Sequence, residues 1–148
     1  MSRFSCGKDS AAGGRVQKQI GGRVKKVLII DDDEMHLVLV RQILDREECT
    51  VLSTADGPHG ITLYRDHRPE LVLLDLGLPS MNGIDVLKEI RKIDRNAKVI
   101  VVTGYASTET VNIAERHGAI EVLQKPIEFR TFLEKIRRAL GLPEAQDQ

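Results

Sequence analysis

Four apolar runs in this chain end in residues that can do chemistry. Val27-Leu28-Ile29-Ile30 runs into Asp31-Asp32-Asp33, Leu71-Val72-Leu73-Leu74 into Asp75, and Val99-Ile100-Val101-Val102 into Thr103. A weaker run, Val122-Leu123-Gln124, ends in Lys125-Pro126. As parallel strands, these runs would gather carboxylates, a hydroxyl and an ammonium on one sheet edge. Crowded carboxylates repel, and one of them would hold a proton unless a cation relieved the conflict. Mg²⁺ suits such a place: it takes oxygen ligands, needs few protein carboxylates and keeps open positions for phosphoryl oxygens. Asp31, Asp32 and Asp75 are therefore the candidate metal ligands. Lys125 can pair with a phosphoryl oxygen or with Asp75, and Thr103 offers a hydroxyl donor. Such a site supplies a nucleophile, positions groups and neutralises charge.

The elements that must position these residues follow from hydrophobic period. Residues 26–31 form a continuous apolar run, as in a strand buried on both faces. Residues 34–46 have helical spacing, with Leu37, Val40 and Leu44 on one stripe. Further strands are expected at 49–54, 71–75, 97–103 and 120–124. Helices are expected from Asp56-Gly57-Pro58 to His67, and at 84–93, 107–117 and 128–140. Ile84, Leu87 and Ile90 should be buried in the third helix, and Phe129, Leu133, Ile136 and Leu140 in the last. Gly118 and Gly141 are the natural stops of the last two helices. Five βα units with short connections predict an α/β domain: a parallel sheet with helices on both faces. Right-handed crossovers put every strand-to-helix loop on one edge, where ligands bind in open sheets of this type.

The chain has 148 residues, enough for one domain with a sizeable core. Its net charge is zero but unevenly spread: residues 1–26 carry seven Lys/Arg and one Asp. The remainder is acidic and lacks the basic footprint of direct nucleic-acid binding. Residues 1–24, with Gly13-Gly14 and Gly21-Gly22, read as a flexible basic leader. The folded unit is expected over 25–141, with a short tail at 142–148. Two cysteines, Cys6 and Cys49, are too few for a disulfide framework and read as free thiols. No apolar run reaches the ~18 residues of a membrane span, and the N-terminus lacks a signal-peptide core. A soluble, cytoplasmic protein with no membrane contact is expected.

At these residues the chain resembles the receiver domain of two-component response regulators. The matching segments are Val27–Asp33 (VLIIDDD), Leu71–Gly83 (LVLLDLGLPSMNG), Val99–Ala106 (VIVVTGYA) and Gln124-Lys125-Pro126. The resemblance covers roughly residues 25–141, and the order and spacing of these segments make the joint signal specific. The resemblance implies a flavodoxin-like (βα)5 fold with strand order 2-1-3-4-5. It implies that Asp75 is the phosphoacceptor and forms an aspartyl-phosphate. Asp32 would then ligate Mg²⁺ directly, Asp31 partly through water, and Gly77 through its backbone carbonyl. Lys125 would contact the phosphoryl group, and Thr103 would swing inward to bond it. The implied donor is a sensor histidine kinase or a histidine phosphotransfer protein, and the implied output is contact with a downstream protein target. The expected protein is a stand-alone signalling phosphoacceptor rather than a turnover enzyme.

Some positions depart from the family pattern. Val122 stands three before Lys125, where an aromatic switch residue is common. Ile127 replaces a common Phe, and Leu78 a common Met. Tyr105, two after Thr103, is bulky enough to suggest a screen over the aspartyl-phosphate. Two rival readings are a fragment of a longer regulator with a DNA-binding or enzymatic output domain, and a phosphatase with an aspartate nucleophile. The second usually has an acid two residues after the nucleophile, where this chain has Gly77. Asp33 and Glu34 read as helix-start acids. His36, His59, His67 and His117 lack metal-ligand spacing and read as surface or helix-end residues. Asn82-Gly83 reads as a turn that starts a helix. The first helix carries seven apolar residues, more than one stripe can bury, and Met35 with Val38 or Leu39 is a candidate kinase-docking patch.

Overall fold

The computed structural model describes residues 24–47 and 49–143. The expected leader, apart from Val24, lies outside the described residues, as do Cys6 and residues 144–148 of the expected tail. The elements alternate as the periodicity requires. They are β1 (Lys26–Ile30), α1 (Glu34–Asp45), β2 (Thr50–Thr54), α2 (Gly57–His67), β3 (Leu71–Leu74), α3 (Gly83–Ile93), β4 (Val99–Thr103), α4 (Thr108–Arg116), β5 (Glu121–Gln124) and α5 (Phe129–Leu140). The boundaries differ from the sequence expectation by a residue or two, where end fraying and caps decide them.

The strands form one parallel sheet in the order β2-β1-β3-β4-β5. Alternate residues of each strand point to opposite faces, which builds two cores. Leu28, Ile30, Val72, Leu74, Val99 and Val101 meet Tyr64 of α2, Val86, Leu87 and Ile90 of α3, and Ala114 of α4. Val27, Ile29, Leu71, Leu73, Ile100 and Val102 meet Val40, Ile43 and Leu44 of α1 and Phe132, Ile136 and Leu140 of α5. Apart from Lys26 at the start of β1, the three central strands are fully buried because helices cover both faces.

The helix starts are fixed by side-chain caps. Asp33, Asp56, Asn82, Ser107 and Glu128 each accept a backbone N–H from the first turn of the helix they precede. Such caps contribute about 1 kcal/mol each. At the other ends, Gly141 takes the left-handed conformation after α5, and Arg68 does so after α2. Gly118, with φ 105°, follows the α4 cap residue His117.

Two expectations about helix faces are corrected. The buried stripe of α5 is Phe132, Ile136, Ala139 and Leu140, whereas Phe129 is largely exposed. Phe129 is the first helical residue and lies beneath the Arg46 guanidinium, 5.9 Å from its ring centroid. In α1 the buried residues are His36, Val40, Ile43 and Leu44, so His36 is a core residue rather than a surface one. Its ring stacks on Phe132, with centroids 5.6 Å apart and planes inclined by 20°. Leu37 and Leu39 pack at the margin of that core.

Candidate functional site

The ladder runs past the strand ends and fixes the site backbone. The Asp31 N–H donates to the Thr54 carbonyl (3.0 Å), the Asp75 N–H to that of Ile30 (2.9 Å), and the Lys125 N–H to that of Thr103 (2.8 Å). The register sets Ile30 beside Leu74 and Thr103 beside Gln124. Asp31 and Asp75 thus stand level on the carboxyl edge of the sheet, with Thr103 and Lys125 one and two positions further along it.

The side chains converge as well. Asp31, Asp32 and Asp75 each offer a carboxylate oxygen within 4.8 Å of the others. Asp31 and Asp75 are buried, at 1% and 7% exposure, while Asp32 opens to solvent. Lys125 Nζ lies 3.1 Å from Asp31 Oδ2, 3.2 Å from Asp75 Oδ2 and 3.7 Å from Asp33 Oδ2. The other oxygen of Asp75 accepts the Gly77 N–H at 3.0 Å. Asp31 Oδ1 accepts the Asp33 N–H at 2.9 Å. Thr103 is buried, and its Oγ1 lies 3.5 Å from the Tyr105 N–H.

Burial opposes the charged form of Asp31, but contacts with His36, the Asp33 N–H and Lys125 outweigh it and hold the carboxyl below its ordinary range. Burial likewise opposes the Lys125 cation, and the Asp31 and Asp75 carboxylates outweigh it, holding Lys125 above its ordinary range. For Asp31 and Lys125 the surroundings thus favour the charged form. Three clustered carboxylates against one ammonium leave net negative charge, with one acid open to water. That donor set fits a hard divalent cation that keeps part of its hydration.

Glycine 83 gives the site a close approach that sequence did not reveal. A Cβ there would lie 2.3 Å from Leu76 Cα and 2.9 Å from the Asp75 carbonyl oxygen. The first residue of α3 therefore packs directly on the loop that follows Asp75, and the Gly83 N–H donates to the Leu76 carbonyl. The Lys125-Pro126 peptide is cis. Val122 packs at the edge of the core beneath α4. Leu78 is buried in the same core and Ile127 packs on the opposite one, so both apolar replacements are absorbed. Tyr105 is 74% exposed, so its ring faces mainly water.

Residues 27–137 match the model of the response regulator receiver domain. The chain belongs to this family. Among its relatives, sporulation initiation phosphotransferase F of Bacillus subtilis (strain 168) is 30% identical, over 80% of this chain and 95% of that protein. Chemotaxis protein CheY of the same organism is 32% identical, over 78% of this chain and 98% of CheY. In structure, the CheY-like receiver domain protein of Methanospirillum hungatei JF-1 superposes with a TM-score of 0.76 at 35% identity, covering 80% of this chain and 95% of its own. The receiver fold, with its 2-1-3-4-5 strand order, is that of the flavodoxin-like (βα)5 domains. Receivers are signalling phosphoacceptor domains of two-component systems, and the acidic cluster of this one could hold a metal. No helix among the described residues is long and apolar enough to cross a membrane.

The structure brings Asp31, Asp32, Asp75 and Lys125 together, sets Thr103 at the adjoining strand end and Gly77 beside the Asp75 carboxylate. Of the histidines, His59 and His67 are exposed on α2 and His117 caps α4, as expected. His36 differs: its Nδ1 lies 2.9 Å from Asp31 Oδ2. The sequence held a signal for it, since positions 36, 40, 43 and 44 share one helical stripe.

Proposed function

We propose that this receiver accepts a phosphoryl group on Asp75 in a Mg²⁺-dependent reaction. The observation that carries the reading is the setting of Asp75. It is a buried carboxylate at the end of the central strand β3, pinned by the Gly77 N–H and Lys125 and flanked by Asp31 and Asp32. Burying such an acid for structure alone is costly. The ligands would be Asp32, Asp31 partly through water, Asp75 and the Gly77 carbonyl, and the cation would neutralise phosphoryl oxygens. The donor is a phosphohistidine of a sensor kinase or phosphotransfer protein. A carboxylate oxygen of Asp75 forms the new O–P bond as the donor's N–P bond breaks. The imidazole keeps the bonding pair and takes up a proton.

Lys125 then pairs with the transferred group, and Thr103 turns toward it with its loop. That contact favours one of two conformations of the β4–α4 and β5–α5 surface. With Val122 in place of an aromatic, the shift runs through the Thr103 loop rather than through a ring at position 122. The output is contact with a protein target, and the phosphoryl group is later lost to slow hydrolysis. The functional unit is residues 25–141. Met35 and Val38, exposed on α1 at 79% and 52%, suit the docking of kinase helices.

The test is labelling by a small phosphodonor such as acetyl phosphate. Wild type should label with Mg²⁺ and not with EDTA, and Asp75→Asn should not label. Equal labelling of both proteins refutes the assignment.

A further inference from the structure

His36 is a buried polar residue at a core position. It is 8% exposed, occupies the stripe of Val40, Ile43 and Leu44, and stacks on Phe132. An apolar side chain would satisfy that packing without burying polar atoms, and a buried nitrogen left without a partner is destabilising. Neither ring nitrogen is aligned in a hydrogen bond, yet Nδ1 lies 2.9 Å from Asp31 Oδ2. Asp31 is therefore the polar group on which the ring can act.

We infer that His36 is a positioning residue for the cation site: its Nδ1–H holds Asp31 in the orientation that the divalent ion requires, while Phe132 holds the ring. His36 is not itself placed as a ligand. The residues whose donor atoms cluster within 4.8 Å are Asp31, Asp32 and Asp75. The two oxygens of Asp31 divide their partners. Oδ1 accepts the Asp33 N–H, Oδ2 faces His36, and Lys125 Nζ lies within 3.3 Å of both. Entry of a cation changes what Lys125 can hold, because the ion and the ammonium compete for the same carboxylate. The backbone N–H of Asp33 and the ring of His36 are the partners that remain. They keep Asp31 from rotating away when Lys125 moves. Groups that orient a ligating carboxylate typically change metal affinity 10–100-fold.

This inference rests on the cation site proposed above, and the test separates the two. Mg²⁺ and Mn²⁺ are titrated by calorimetry into wild type, His36→Leu and His36→Asn. Leu fills the stripe without a donor, whereas Asn places an amide N–H near the position of Nδ1 but loses the stacking. His36→Leu should bind about 10-fold more weakly and His36→Asn within about 2-fold of wild type. No binding by wild type refutes the cation site itself. Wild-type binding with an unchanged His36→Leu, or with Leu and Asn equally impaired, refutes only the role of His36. A readout independent of any variant's folding is the ¹⁵N spectrum of the wild-type ring. Nδ1 should carry the proton and should shift on addition of Mg²⁺. A ring protonated on Nε2 alone overturns the inference.

Discussion

Lys125 is the sole cation found against both buried carboxylates among the described residues, so replacing it is the sharpest perturbation of the cluster. Lys125→Met keeps much of the stem and removes the charge. Its ammonium lies 3.1 Å from Asp31 and 3.2 Å from Asp75. A unit charge pair at 3.2 Å is worth about 1.3 kcal/mol at the dielectric of water and about 5 kcal/mol at an effective value near 20. Removing one partner of a buried pair costs about 3–5 kcal/mol. The Lys125 side chain keeps 16% exposure, which admits some screening and lowers the expected loss to about 2–3 kcal/mol. In urea denaturation with EDTA the variant should be less stable by that amount, with Tm lower by roughly 8–12 °C. Added Mg²⁺ should narrow the gap. In wild type a cation would share Asp31 and Asp75 with Lys125; the variant removes that competitor and leaves Asp31 its Asp33 N–H and His36 contacts and Asp75 its Gly77 N–H, so it should bind more tightly. Each tenfold gain in affinity returns about 1.4 kcal/mol at saturation. A variant as stable as wild type in EDTA would show that Lys125 does not hold the acids together. A gap unchanged at saturating Mg²⁺ would show that the freed carboxylates are not where the cation binds.

Gly83→Ala should destabilise the fold by about 1–3 kcal/mol, because its Cβ collides with Leu76 Cα, and it should slow labelling of Asp75. Gly104→Ala, whose Cβ meets nothing within 4 Å, should change stability by no more than about 0.5 kcal/mol; equal losses in urea denaturation of the two variants would refute the steric account. Burial, helped by Glu47 and Glu70, pushes the Cys49 thiol up to about 12. In a Cys6→Ser background, iodoacetamide should therefore label Cys49 about 10³-fold more slowly in native than in urea-unfolded protein near pH 7, and comparable rates would refute the shift. The folded state resists ionisation of this thiol, so stability should fall as pH rises past the unfolded value of 9.0, and a Cys49→Ala variant should lose that slope.

The sequence alone determined the order of elements and the residues at their ends. Continuous apolar runs ending in Asp31, Asp75, Thr103 and Lys125 can be buried only as strands covered on both faces, and right-handed crossovers then put those ends together. Local chemistry was equally legible: Asp33, Asp56 and Asn82 announce helix starts because a cap needs only its own first turn. Tertiary structure decided what depends on phase and approach. Phe129 and Phe132 are three residues apart, so a rotation of α5 by only about 60° separates their directions; the periodicity of the helix does not settle which enters the core, and its packing on α1 does. His36 looked polar and therefore external, until the same packing put its ring between Phe132 and Asp31. Gly83 looked like a turn residue, and only the contact with Leu76 shows that the Asp75 loop needs the missing Cβ. Strand ends are encoded by neighbours in the chain; contacts across elements are encoded by shape, which exists only once the chain has folded.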